Sequence, residues 1–314
     1  MQSPSFCELL GNVTVRWSSD STADPAELQP LTSLTRLAHL CILNGTNLGD
    51  MAELRHLQHL SSLFLSNFSA LASKVPNFNN LQSLSLSSCQ DEIWDFSSCS
   101  SLLKLSLNNL GDNMKQIVLP SGPKVMLQEI AVGSTWSKDR HDYVMANIGK
   151  ATQLTEVKFM YAYPSNFRDG KWLVHLPNLC NLQLVGLSCD LPSAVTSCPD
   201  LQHFVVSDQE HGTLPLWLSS MTQLTYLRID DGRLEKFPEH ILQLSQLRYL
   251  IVSSKLDFVL PKVLLGCAYW PNLTYLHIAV GQENVPLESQ LIMLQLEMLI
   301  KPYNASCEIR FDRF

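Results

Sequence analysis

The chain has no basic excess. Lys and Arg number 22 against 29 Asp and Glu, a formal net charge of −7. A nucleic-acid surface needs basic side chains concentrated on one face, so this balance argues against nucleic acid as a partner. No run of like charges marks an interaction tail. No apolar run approaches the roughly 18–20 residues that cross a bilayer, so no membrane span is expected. Met1 to Leu10 hold neither a basic n-region nor an apolar h-region, which reads against a secretory leader. A G-x-x-x-x-G-K-[ST] phosphate loop is absent, as is a glycine-rich turn of the dinucleotide type. His56 and His59 form H-x-x-H without the glutamate of a zinc protease, and Cys189 and Cys198 stand too far apart for a zinc knuckle. The expectation is a protein without enzymatic activity, cofactor or metal.

Clustered cysteines are also missing. The nine, Cys7, Cys41, Cys89, Cys99, Cys180, Cys189, Cys198, Cys267 and Cys307, are odd in number and scattered. Such usage predicts buried, reduced thiols in the cytoplasm. Five N-x-[ST] sequons, at Asn12, Asn44, Asn67, Asn272 and Asn304, point instead to the outside of a cell. The cysteine pattern is given the greater weight.

What the chain does have is one frame, repeated. A leucine is followed by two free positions, an apolar residue, one free position and another apolar residue. It begins at Leu10, Leu37, Leu60, Leu81, Leu102, Leu127, Leu154, Leu179, Leu201, Leu224, Leu247 and Leu273. The second anchors run from Val13 and Leu40 to Leu250 and Leu276, and the third from Val15 and Ile42 to Val252 and Ile278. Alternation of this kind is a half-buried strand. The spacing runs from 21 residues (Leu60 to Leu81) to 27 (Leu10 to Leu37). The variable half of each repeat must carry the chain back, and its apolar pairs, such as Leu54 with Leu57 and Ile241 with Leu244, close the core from that side. The longer repeats, starting at Leu102, Leu127 and Leu154, have room for helices. Asp142 to Gln153 reads as one, stopped near Gly149, and Trp172, Leu173 and Leu176 suggest a shorter one.

The frame and its spacing resemble the leucine-rich repeat superfamily. The resemblance covers nearly the whole chain. It implies an α/β leucine-rich repeat solenoid of about twelve repeats, a curved horseshoe with a parallel sheet on its concave face. Residues 213–250 carry it most clearly, with Leu214-Pro215 and Phe237-Pro238 opening two L-P-x-x-[LI] returns. Those repeats are similar to the cytoplasmic repeats of plant intracellular immune receptors and to those of Ras-pathway scaffold proteins. The chain departs from the wider pattern in one respect. Many such repeats place Asn three residues after the third anchor, and here that position is never Asn. The residue before it is polar instead in many repeats: Asn44, Asn67, Ser88, Asn109, Ser134, Asp208, Asp231 and Ser254. Such residues cap turns through nearby backbone groups, so an irregular ladder is expected.

Solenoid ends need covers. Residues 1–9 are read as a short N-terminal cap, with Ser5 and Glu8 as a capping box. That thin cover leaves two readings: the repeat portion of something longer, or a front edge that docks on a partner. Residues 10–286 are read as the solenoid. Residues 287–314 are read as a C-terminal cap, an amphipathic helix over 287–300 followed by a strand at Cys307–Phe311.

Free positions of the strands are released from core duty, so binding is expected there. Over the last third of the chain they carry Tyr226, Tyr249 and Tyr275 at equivalent positions, with Arg228, Asp230, His203 and His277 around them. Tyr and Arg are enriched among interface hot spots. A second, weaker patch is Glu156, Lys158, Met160 and Tyr161. The implied function is protein recognition or sensing in intracellular signalling or defence, with another protein as partner. A stand-alone scaffold or ubiquitin-ligase substrate adaptor is the alternative, and an enzyme with an unrecognised site a more distant one.

Overall fold

The computed structural model describes residues 12–16, 34, 36–44, 54, 56–67, 78, 80–90, 92–110, 114–121, 125–133, 138–160, 170–186, 190–207, 212–230, 233–254, 260–265, 270–281, 287–303 and 307–313. Leu10, Ser5 and Glu8, and with them the expected front cap, lie outside these residues. The chain divides into two compact units, 1–154 and 155–314.

The first unit carries β1 (Asn12–Arg16), β2 (His39–Leu43), β3 (Ser62–Ser66), β4 (Ser83–Ser87), β5 (Ile93–Asp95), β6 (Lys104–Asn108), β7 (Gln116–Val118), β8 (Glu129–Gly133) and helix α1 (Lys138–Ile148). Strands β1, β2, β3, β4, β6 and β8 pair in that order, all parallel. The second unit carries β9 (Glu156–Met160), β10 (Asn181–Val185), β11 (His203–Ser207), β12 (Tyr226–Asp230), β13 (Tyr249–Ser253), β14 (Tyr275–Val280), helix α2 (Leu287–Tyr303) and β15 (Glu308–Arg313). Its seven strands, β9 through β15, pair parallel in chain order.

The frame explains the strands. From Leu37 to Leu273 each of its three anchors is buried, none more than 3 % exposed. Val13 and Val15 on β1 are half-buried. Anchors of neighbouring repeats meet in register, as Leu182 does with Val157 and Phe204. Each repeat therefore buries its apolar stripe only against its neighbours.

The turn after the strand accounts for the displaced polar residue. Asn44, Asn67, Ser88 and Asn109 all adopt positive φ, between 48° and 60°. Asn tolerates the left-handed region better than other side-chain-bearing residues, which favours it two positions after the third anchor rather than three. The backbone N–H of each donates to the next strand's carbonyl, Asn44 to Ser66 and Asn67 to Ser87, both at 2.9 Å. The Asn67 amide also donates to Asn44 Oδ1 at 2.7 Å, so the first unit has a short asparagine ladder.

The return sides differ from the expectation in three ways. Helix α1 starts earlier than expected, at Lys138, and ends at Ile148, with Gly149 donating back to the Met145 carbonyl. The repeat starting at Leu102 holds β7, paired parallel with β5 of the preceding repeat, as a two-stranded sheet with Trp94 and Ile117 buried. The expected helix at Trp172 is a 3₁₀ turn, Lys171–His175. In the L-P-x-x-[LI] repeats the proline starts a 3₁₀ turn that drives the last residue inward. Leu218 N–H donates to Pro215 O at 3.2 Å and Ile241 N–H to Pro238 O at 3.0 Å, and both side chains are fully buried. The proline ring fixes φ for the first residue of such a turn and gives up no needed donor.

One half-buried histidine on these turns makes stability pH-dependent. Burial lowers the His240 pKa below its ordinary 6.5, opposed by a backbone hydrogen bond at Pro215. Its Nε2 is enclosed and has no hydrogen-bond partner among the described residues. The unfolded chain then binds this proton more readily than the native one, so stability is full above pH 6.5 and falls as pH drops below it. Urea midpoints between pH 7.5 and 5 are expected to fall less in His240→Leu than in the wild type.

Gly212 shows why a return can demand glycine. Its φ is +67°, and a Cβ there would stand 2.6 Å from the Arg233 carbonyl oxygen. Gly212→Ala is expected to cost about 1–3 kcal/mol by urea unfolding.

At the far end, helix α2 covers part of the core with Ile292 and Leu296. Its outward side is apolar too, with Leu291, Leu294 and Met298 more than half exposed, so the amphipathic expectation describes only one face. Strand β15 adds a further rung beside β14.

Candidate binding face

Strands β11 to β14 put their frame anchors inward and their free positions on the open face. The pairing is in register: His203, Tyr226, Tyr249 and Tyr275 are successive partners, and so are Val205, Arg228, Ile251 and His277. Sequence positions more than twenty residues apart thereby become one row. Ring centroids follow at 5.7 Å from His203 to Tyr226, 6.0 Å to Tyr249 and 6.1 Å to Tyr275. The tyrosine rings are inclined to each other by 34° and 35°. His277 closes on the Tyr275 ring at 6.4 Å, edge to face. Tyr249, at the centre, is 45 % exposed.

Arg228 and Asp230 lie on the same face of β12. Arg228 Nε donates to Asp230 Oδ2 at 2.5 Å, and Ser253 Oγ donates to Asp230 Oδ1 at 2.5 Å. Asp230 is the less exposed of the pair, at 23 % against 46 % for the arginine side chain. It therefore acts as a fixed post on which Arg228 is held. Partial burial works against the Arg228 charge, but the hydrogen bond and charge of Asp230, with Tyr226 behind them, outweigh it and raise its pKa. An arginine held this way loses less side-chain entropy on meeting a partner.

All seven residues expected in the main patch are thus brought together. Two were missed. Arg310 of β15 lies with its guanidinium carbon 5.9 Å from the Tyr275 ring centroid, in cation–π range. Glu308, paired with Tyr275 across the strands, receives hydrogen bonds from Arg310. Their signal was in the alternation of Cys307–Phe311, which continues the frame past Ile278. The weaker patch falls on β9: Glu156, Lys158 and Met160 are half-buried on the open face. Gln183 Nε2 donates to Glu156 Oε1 at 3.3 Å. Tyr161 lies outside the described residues. β9 is two strands from β11, so this group stands apart from the tyrosine row.

In the first unit the equivalent face is plainer. Ser62, Ser66, Ser83, Ser85, Ser87 and Ser106 occupy most free positions of β3, β4 and β6. His59 lines a shallow hollow of about 340 Å³ with Asn80, Gln82 and Met126. Among the described residues no group of three His, Cys, Asp or Glu could hold a metal ion, and no helix is long and apolar enough to cross a membrane. Burial pushes the Cys198 thiol up to about 11, which disfavours the reactive thiolate.

No family model matches the chain, and no curated protein matches it. Solved structures do. The internalin InlF from Listeria monocytogenes str. 4b F2365 superposes with a TM-score of 0.56 at 17 % identity, over 98 % of this chain and 88 % of that one. TLR13, solved in complex with ssRNA13, superposes with a TM-score of 0.55 at 17 % identity, over 98 % of this chain and 48 % of its own. This is a leucine-rich repeat fold. Within it, the anchors from Leu37 to Ile278 are the repeat's core, and the tyrosine row occupies the positions a leucine-rich repeat leaves open.

Proposed function

We propose that this leucine-rich repeat chain is a protein-interaction module that grips its partner with the open face of β11 to β15. The observation that carries the reading is the in-register row of His203, Tyr226, Tyr249 and Tyr275, flanked by the tethered Arg228 and by Arg310. Core duty does not require tyrosine at these positions, since the anchors of the same strands are already fully buried. Tyrosine supplies large, stiff contact area at low entropic cost, and arginine supplies directional donors. Signalling or defence in the cytoplasm is the setting in which we place it, because the buried thiols Cys89, Cys99 and Cys198 are suited to a reducing compartment. The test is capture in parallel on the wild type and on a Tyr249→Ala/Arg228→Ala variant. A protein retained by the first and released by the second supports the reading. Equal retention by both overturns it.

A further inference from the structure

Helix α2 carries an apolar stripe that the fold does not use. Its inner face is fixed: Ser289, Ile292 and Leu296 are buried, none more than 2 % exposed. Ser289 Oγ accepts the Leu260 N–H at 3.0 Å, and Glu288 Oε1 meets Lys262 Nζ at 2.9 Å. The helix is thus pinned beside the return turn at Lys262–Leu265. Leu291, Leu294 and Met298 lie roughly half a turn round from that inner face. They are 55 %, 61 % and 75 % exposed. A surface helix buries one apolar stripe and keeps its other side polar, whereas a helix apolar on opposite sides is suited to a place between two neighbours.

Spacing names the kind of neighbour. Leu291, Leu294 and Met298 follow intervals of three and four, those of the a and d positions of a coiled-coil seam. Such a seam packs against another helix.

Charge selects a second copy of the same helix. Run antiparallel about a two-fold axis between Leu291 and Leu294, the seam complements itself. Leu291 of each copy meets Leu294 of the other, and Met298 lies over the other's first turn. The flanking positions then match acid with amide: Glu288 beside Gln295 on one side, Gln290 beside Glu297 on the other. No two acids meet, and the helix dipoles oppose each other. A bilayer suits the same face poorly. The charges at its flanks are acidic and the chain is at −7, whereas a helix that lies on a membrane borders its apolar stripe with Lys and Arg.

The area sets the strength. The three side chains leave about 350 Å² of apolar surface to water, the scale at which an exposed patch marks an interaction site. Burial on both copies removes about 700 Å², and the polar flanks bring the total toward the roughly 1,200 Å² of the smallest specific interfaces.

We infer that two copies of this chain pair through α2, antiparallel and in this register, as a weak two-fold dimer. The contact lies on the return side and does not depend on the binding face proposed above.

The test is sedimentation equilibrium on the full chain between about 1 and 200 µM. The wild type is expected to pass from one chain toward two across that range. The pairing should tighten as salt rises, because each copy is at −7 and salt screens their repulsion. Leu291→Glu/Met298→Glu, both outward, should weaken it by about 30-fold or more with an unchanged urea midpoint. A second variant works in the opposite direction, so misfolding cannot imitate it. Gln295→Lys leaves the seam intact and sets a cation beside Glu288 of the other copy twice over, which should tighten the dimer by about 3-fold. In a parallel pair the same position faces Gln290, and no gain follows. A wild type that stays monomeric throughout overturns the inference, as does a dimer that the Leu291→Glu/Met298→Glu variant forms equally well. A dimer that Gln295→Lys does not tighten overturns the antiparallel register. A monomer carried down by phosphatidylcholine vesicles, and released from them by Leu291→Glu/Met298→Glu, overturns it in favour of a membrane surface.

Discussion

Replacing Leu182 with alanine is expected to lower the unfolding free energy by about 2–5 kcal/mol. Leu182 is the middle anchor of its frame, with no exposed surface, between Val157 on β9 and Phe204 on β11. The loss combines the transfer energy of the deleted carbons with a cavity term. Close-packed anchors on both neighbouring strands cannot collapse far into the gap, because their own frames hold them in register. The effect belongs to two interfaces at once, which sets a solenoid anchor apart from a side chain at a domain's rim. Gln183→Ala, one residue along and pointing to the open face, is the control. Its expected change is within about 0.5 kcal/mol. Urea unfolding followed by circular dichroism reads both. Equal effects at the two positions would contradict the assignment of inward and outward columns.

The second large effect is on binding. Tyr249→Ala is expected to weaken partner affinity by about 30-fold, the equivalent of about 2 kcal/mol. The residue sits mid-row with a ring on either side, so truncation removes its own contact area and unseats Tyr226 and Tyr275. Asp230→Ala should also weaken binding, although Asp230 is only half as exposed as Arg228. Removing the post frees Arg228 and leaves Ser253 Oγ without its acceptor. This distinguishes a positioning role from a contact role. In Asp230→Ala the arginine charge remains, so the salt dependence of binding persists, whereas in Arg228→Ala it diminishes. Calorimetric titration at two salt concentrations separates the cases.

Much of this architecture was legible before any coordinates. The Leu-x-x-Leu-x-Leu frame dictates strand position and facing, because period-two alternation and core burial admit one register. That is why Tyr226, Tyr249 and Tyr275 could be aligned by counting. Other features were hidden because they depend on long-range partners. The pairing of β5 with β7 arises from three-residue segments too short to show a period. The Ser253 bond to Asp230 joins residues whose side chains look unremarkable in isolation. The left-handed turns at Asn44 and Asn67 were half visible: the polar preference was read, but not the backbone conformation that demands it. Arg310 was missed because the strand expected at Cys307–Phe311 was assigned to the C-terminal cap, whereas it pairs with β14 and extends the row.

The most direct measurement is photo-crosslinking from the face itself. A benzophenone amino acid is placed at Tyr249 in one variant and at Gln243, exposed on the return turn of the preceding repeat, in another. The account predicts a covalent adduct with the captured partner from position 249 and none from position 243. Adducts from 243 alone, or from both positions equally, would contradict it.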